Sequence, residues 1–165
     1  MTRNSILTCA LLTLAAGCSA GDLDSVFGTG GAQDVIAAPE KVQAIRLADQ
    51  SFYQPTVADY KTAAGPIDVD KDIGKQTSKL LLDEKSYLWD VAKGCEPIFG
   101  VRLQFTKGEQ TADVFFCFEC DILTIYFQGK PVGSEDFDPI RPQLVTIVKQ
   151  LFPEDEAIQG LKARR

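Results

Sequence analysis

FGVRLQFTKGEQTADVFFCF, residues 99–118, is the stretch that decides the fold. In its first eight residues Phe99, Val101, Leu103 and Phe105 alternate with Gly100, Arg102, Gln104 and Thr106. A period of two marks a strand with one buried face. Lys107-Gly-Glu-Gln110 reads as a turn, and Ala112 to Phe118 is apolar on both faces, as a central strand would be. If the chain turns about residues 108 and 109, Phe105 faces Ala112 and Cys117 faces Gly100. Cys120 then falls opposite residue 97, close to Cys95, so three thiols should gather at one end of the sheet.

Outward from this hairpin, Ile122 to Phe127 reads as the next strand, giving a three-stranded antiparallel meander over about residues 98–128. The chain then turns through Gln128-Gly-Lys-Pro-Val-Gly133. Val42 to Leu47 reads as a further, N-terminal strand. Ser51 to Ala64 is loop-like, with Phe52, Tyr53, Pro55 and Tyr60 expected to pack onto the core. Asp70 to Leu82 has Ile73, Thr77, Leu80 and Leu81 at helical spacing. A second helix starts at Asp138, a good N-cap, with Pro139 in the first helical position. Its apolar stripe is Ile140, Leu144, Ile147, Val148 and Leu151, and Pro153 stops it. Glu154 to Leu161 has room for a short terminal helix. The expected class is α+β: a small antiparallel sheet packed by a C-terminal helix.

The first residues speak to compartment. Arg3 lies in a short basic start, and Ile6 to Ala16 is an apolar run of 11 residues. That is too short to span a bilayer, which takes about 20 residues, but it suits the core of a secretory signal. Leu14-Ala-Ala-Gly-Cys18 follows. This stretch resembles the lipobox of bacterial lipoproteins, in which the cysteine is lipidated and the chain is cut just before it. The leucine stands one place further out than that family puts it. An ordinary signal peptidase cutting near Cys18-Ser19-Ala20 is the alternative. The resemblance implies a lipid on Cys18, a membrane partner through that lipid and a place in the cell envelope. Ser19, not Asp, follows the cysteine, which by analogy favours the outer membrane where the organism has one.

The expected organisation is a signal peptide over 1–17, then a lipidated Cys18 with a flexible, Gly-rich tether to residue 40. A single α+β domain follows over 41–161, and a basic tail over 162–165. Gly-rich chain of this tether's length spans roughly 25 Å. The net charge of −6 becomes −7 once residues 1–17, which hold Arg3 and no acid, are removed. Such acidity argues against nucleic acid, whose binders carry a basic footprint.

Loss of the leader takes Cys9 with it, leaving Cys95, Cys117 and Cys120 besides Cys18. Three thiols cannot all pair within one chain. A disulfide from Cys95 to Cys117 or Cys120, with the third thiol buried, suits an oxidising compartment. Three unpaired thiols packed as small hydrophobes would also serve. A zinc site needs four ligands; the chain has no histidine, so the fourth would be Asp121, Glu119 or water. A thioredoxin-like site needs its C-x-x-C at a helix N-terminus, whereas strand-like sequence follows Cys120. The set Cys95-Glu-Pro-Ile-Phe-Gly100, Phe105 and Cys117-Phe-Glu-Cys120 resembles a pattern in small exported bacterial proteins of no known activity. That resemblance implies that the three cysteines form one constellation.

Other chemistry is thin. Without histidine, serine and cysteine triads cannot be built. Asp68-Val-Asp-Lys-Asp-Ile-Gly74 spaces its acids like a calcium loop, but Ile73 stands where the loop needs Gly and Lys79 where it needs Glu. Asp-rich helix starts follow from the helix dipole alone. Ser134-Glu-Asp-Phe-Asp138 reads as capping plus a solvated loop. The expected function is therefore a non-enzymatic envelope module that contacts another protein or a wall component. A thiol-based metal or redox site at Cys95, Cys117 and Cys120 is the alternative. No cofactor is expected, and zinc is the candidate should the thiols hold one.

Overall fold

The computed structural model describes residues 22–48, 51–89 and 91–163. Six strands form one antiparallel sheet: β1 (Lys41–Leu47), β2 (Thr62–Asp68), β3 (Val101–Lys107), β4 (Gln110–Cys117), β5 (Ile122–Phe127) and β6 (Lys130–Asp136), in the order β2-β1-β3-β4-β5-β6. The helices are α1 (Leu23–Phe27), α2 (Ala32–Ala37), α3 (Lys71–Leu81), α4 (Arg141–Leu151) and α5 (Glu156–Gln159). The class is mixed α+β, and the sheet is twice the size of the expected meander.

The central hairpin has the expected register: Phe105 pairs with Ala112 and Lys107 with Gln110, leaving a two-residue turn. Gly108 takes a φ of 57° in that turn, where a Cβ would be strained. Alternation along β3 and β4 sorts the side chains onto two faces. Val101, Leu103, Phe105, Ala112, Val114 and Phe116 face the helices in the main core. Ile45, Leu47, Phe99, Phe115, Cys117 and Tyr126 form a smaller core on the other face. The segment 51–60 covers that second face. Tyr60 stacks on Phe115 with ring centroids 4.3 Å apart, and its hydroxyl lies 3.0 Å from that of Tyr126. Of the aromatics expected to pack down here, only Tyr60 is buried; Phe52 and Tyr53 are exposed.

Two expected loops are strands. β2 was hidden because all seven of its residues are exposed, so no apolar period marks it. It is an edge strand, and Pro66 together with register shifts against β1 suits an edge that does not recruit a further strand. β6 occupies the stretch 130–136, which extends the expected turn and includes Ser134-Glu-Asp136.

The expected tether over 18–40 is corrected for residues 22–40. Val26, Phe27, Ala32, Val35 and Ile36 are all fully buried in the main core. Asp22 caps α1 by accepting from the amide of Asp24. The glycines that suggested flexibility have local tasks: Gly28 and Gly31, with φ of 66° and 98°, end α1 and start α2. α1 lies so close on β6 that a Cβ on Gly133 would meet the carbonyl oxygens of Ser25 and Val26. The packed domain therefore includes residues 22–40 and does not begin at 41.

α3 begins at the Asp70 cap and buries Gly74, Thr77, Ser78 and Leu81. The Asp-rich stretch before it is spent locally. Asp68 pairs with Lys41 at 3.0 Å and accepts from Gln43, and Asp70 accepts from the amide of Asp72. A single turn of 3-10 helix over Asp138–Ile140 leads into α4, which buries Leu144, Val145, Ile147, Val148 and Leu151.

Candidate functional site

The Cys-x-x-Cys stretch forms the connection between β4 and β5. Cys117 ends β4, and Phe118 to Asp121 turn the chain before Ile122 opens β5. Asp121 takes a φ of 57° there, a conformation that aspartate tolerates better than most residues. The irregular segment 91–98 lies against this turn. Cys95 on that segment is disulfide-bonded to Cys120, with Cα atoms 6.0 Å apart. Cys117 is a free thiol and fully buried. The amide of Cys120 donates to Cys117 Sγ at 3.4 Å.

Two cations lock the turn. Lys93 Nζ donates to the carbonyl of Cys120 at 2.8 Å, pairs with Asp138, and lies 3.6 Å from Asp136. Arg141, the first residue of α4, reaches back under the turn. Its Nη1 donates to the carbonyl of Phe118 at 2.6 Å and pairs with Asp121, while its Nε donates to the carbonyl of Lys162 at 3.0 Å. Its guanidinium also stands over the Phe118 ring. Burial pushes the Asp136 carboxyl above its ordinary range; Lys93 opposes this, and the nearby carboxylates of Asp138 and Asp121 add to it.

Between the segment 91–98, the turn and the start of α4 lies an open cleft of about 700 Å³. Lys93, Cys95, Glu119, Cys120, Asp121 and Arg141 are among its lining residues. Its charges are of both signs and are largely spent on each other.

The expected candidates are thus brought together, but not as a metal centre. Cys95 and Cys120 use their sulfurs on one another, and Asp121 is held by Arg141. Among the described residues, no three His, Cys, Asp or Glu side chains converge in a way that could hold a metal. The donor set does not fit zinc while the disulfide stands. Cys18, the expected lipidation site, lies outside the described residues.

Sequence reasoning missed Lys93 and Arg141, and it read Asp136, which is buried, as part of a solvated loop. Arg141 carried a signal: a cation in the first turn of a helix opposes the dipole, so its presence there asks for an acidic or carbonyl partner. Lys93 carried none. It also missed a second buried polar group on the outer face. Asp113, almost fully buried in β4, lies 3.3 Å from Arg102 Nε and accepts from Gln104 at 3.0 Å. Burial pushes its carboxyl up, and Arg102 and Gln104 pull the other way.

No protein-family model, curated protein or solved structure matches this chain.

Proposed function

We propose that this is an exported, lipid-anchored envelope protein whose domain acts by contact and not by catalysis. The observation that carries this reading is the Cys95–Cys120 disulfide. Disulfides form and persist in oxidising compartments, outside the cytosol. That agrees with the secretory signal read in residues 1–17 and with the lipobox resemblance ending at Cys18. The anchor then supplies membrane attachment, and an envelope protein or wall component is the expected contact. Among the described residues no helix is long and apolar enough to cross a membrane.

The cleft supports a contact role because most of its charged groups are engaged with one another: Lys93 with Asp138, and Arg141 with Asp121.

The position of α1 sharpens the reading. Only the residues between Cys18 and Asp22 separate a lipid from the packed domain. A chain reaches at most about 3.6 Å per residue, so the domain would be held on the order of 15 Å from the bilayer surface. A partner must then lie within reach of a domain held close to the bilayer.

The test is made on protein purified from its native envelope. Intact mass should show cleavage before Cys18 and the added acyl chains, and Cys18→Ser should release the chain from the membrane fraction. Crosslinking in the intact envelope should then join it to a membrane-surface protein or to wall material. An unmodified Cys18 would remove the anchor, and repeated crosslinking with no adduct would remove the contact role.

A further inference from the structure

We propose that the disulfide is exchangeable, with Cys117 as its resident partner, and that Cys95 is thereby a latent surface thiol. This goes beyond the contact role and does not depend on the anchor.

Three observations carry it. First, Cys117 and Cys120 belong to one apolar cluster on the outer face of the sheet, so both sulfurs sit on the same side of the turn. Secondly, Cys117 Sγ already rests 3.4 Å from the backbone nitrogen of Cys120. Residues three apart across a tight turn lie within about 7 Å, inside the range that a disulfide bridges. Thirdly, the three positions differ in exposure: Cys117 and Cys120 are buried, whereas Cys95 is exposed on a segment without regular structure. Of the two bonds Cys120 can make, one leaves a buried free thiol and the other leaves an exposed one.

The step is an ordinary thiol–disulfide exchange. The Cys117 thiolate attacks Cys120 Sγ. The Cys117–Cys120 bond forms as the Cys95–Cys120 bond breaks, and Cys95 leaves as a thiolate. The proton that Cys117 gave to solvent returns to Cys95. No electrons enter or leave the protein. The segment 91–98 loses its covalent tie but keeps the Lys93 contacts to Cys120 and Asp138. Cys95 is then a modification site at the mouth of the 700 Å³ cleft, open to an electrophile or to the disulfide of a second protein.

The experiment uses the full mature protein, folded and without reductant, exposed to iodoacetamide and then digested with trypsin under non-reducing conditions. Cleavage after Lys93 and Lys107 puts Cys95 on one peptide and leaves Cys117 and Cys120 together on another. Cys18, upstream of Lys41, falls on a third. The expected result is alkylated Cys95 alongside a peptide in which Cys117 and Cys120 are joined internally. In Cys117→Ala the alkylation of Cys95 is lost. Label on Cys117 with Cys95 still bound to Cys120, or no label on the folded protein, would overturn the proposal. So would labelling of Cys95 that persists in Cys117→Ala. Should that variant fail to fold by circular dichroism, the wild-type peptide map decides alone.

Discussion

A guanidinium in the first turn of a helix faces the positive end of the dipole, and Arg141 occupies that position almost fully buried. It is tolerated because Asp121 and two backbone carbonyls, those of Phe118 and Lys162, surround it. Removing one partner of a buried pair leaves an uncompensated charge and costs about 3–5 kcal/mol. Asp121→Ala should therefore lower the unfolding free energy by that amount in a denaturant titration. A loss under about 1 kcal/mol, typical of surface pairs, would mean that the pair is solvated. Asp113 makes a different prediction. Its folded carboxyl holds a proton more tightly than the unfolded chain does, because burial disfavours the charge. The native state then binds more protons just above the ordinary aspartate range, and stability falls as pH rises through that window. Asp113→Asn has no such proton to lose, so its stability relative to wild type should rise between about pH 4 and pH 7. Equal offsets in the denaturation midpoint at both pH values would contradict this. Neither group was legible in the sequence as a site. Asp113 sits among apolar residues in a strand that reads as buried on both faces, and Arg141 needs its tertiary partners before its role shows.

At the scale of elements, α1 and α2 are the test of the fold. Both are too short, at five and six residues, for a helical period to show. Their glycines at positive φ look the same in sequence as those of a flexible linker. Phe27, buried against the ring of Tyr87, distinguishes the two descriptions. Phe27→Ala should cost about 3–5 kcal/mol, as aromatic truncations in cores do, whereas a tether residue would cost almost nothing. Gly133→Ala should be nearly as harmful, because its added methyl would displace the α1 backbone and not a movable side chain; thermal unfolding of the variant reads this directly. The elements that were legible share a physical reason. β3, β4 and β5 are central strands with a core-facing set, and α3 and α4 each run 11 residues, enough for a full apolar stripe. The edge strands β2 and β6 have no such constraint, and so they read as loops.

At the scale of the whole molecule, the sheet is sandwiched unequally among the described residues, with α1 to α5 on one face and the segment 51–60 on the other. The disulfide ties the irregular segment 91–98 to the β4–β5 turn across 25 residues of sequence. Closing a loop of that length is worth about 3–4 kcal/mol through the unfolded chain. Cys95→Ser combined with Cys120→Ser should lower the melting temperature by on the order of 10 °C, with the secondary structure kept. A fall of only a degree or two would show that segment 91–98 is held by Lys93 and packing alone. The cysteine constellation was legible as a group because the hairpin register could be counted from its turn. The choice of Cys120 over Cys117 was not, since both stand on the same face and only the tertiary path of segment 91–98 separates them.

The seating of α1 on β6 also orders events in time. α1 is the first described element to be synthesised and β6 is the last strand, so the helix must wait for nearly the whole sheet before it has anywhere to dock. Until then Val26 and Phe27 of α1, which end fully buried, have no core to enter and stay open to any neighbouring chain. An N-terminal pull on the nascent protein would keep those side chains out of the core, and release of the pull would let α1 seat on β6.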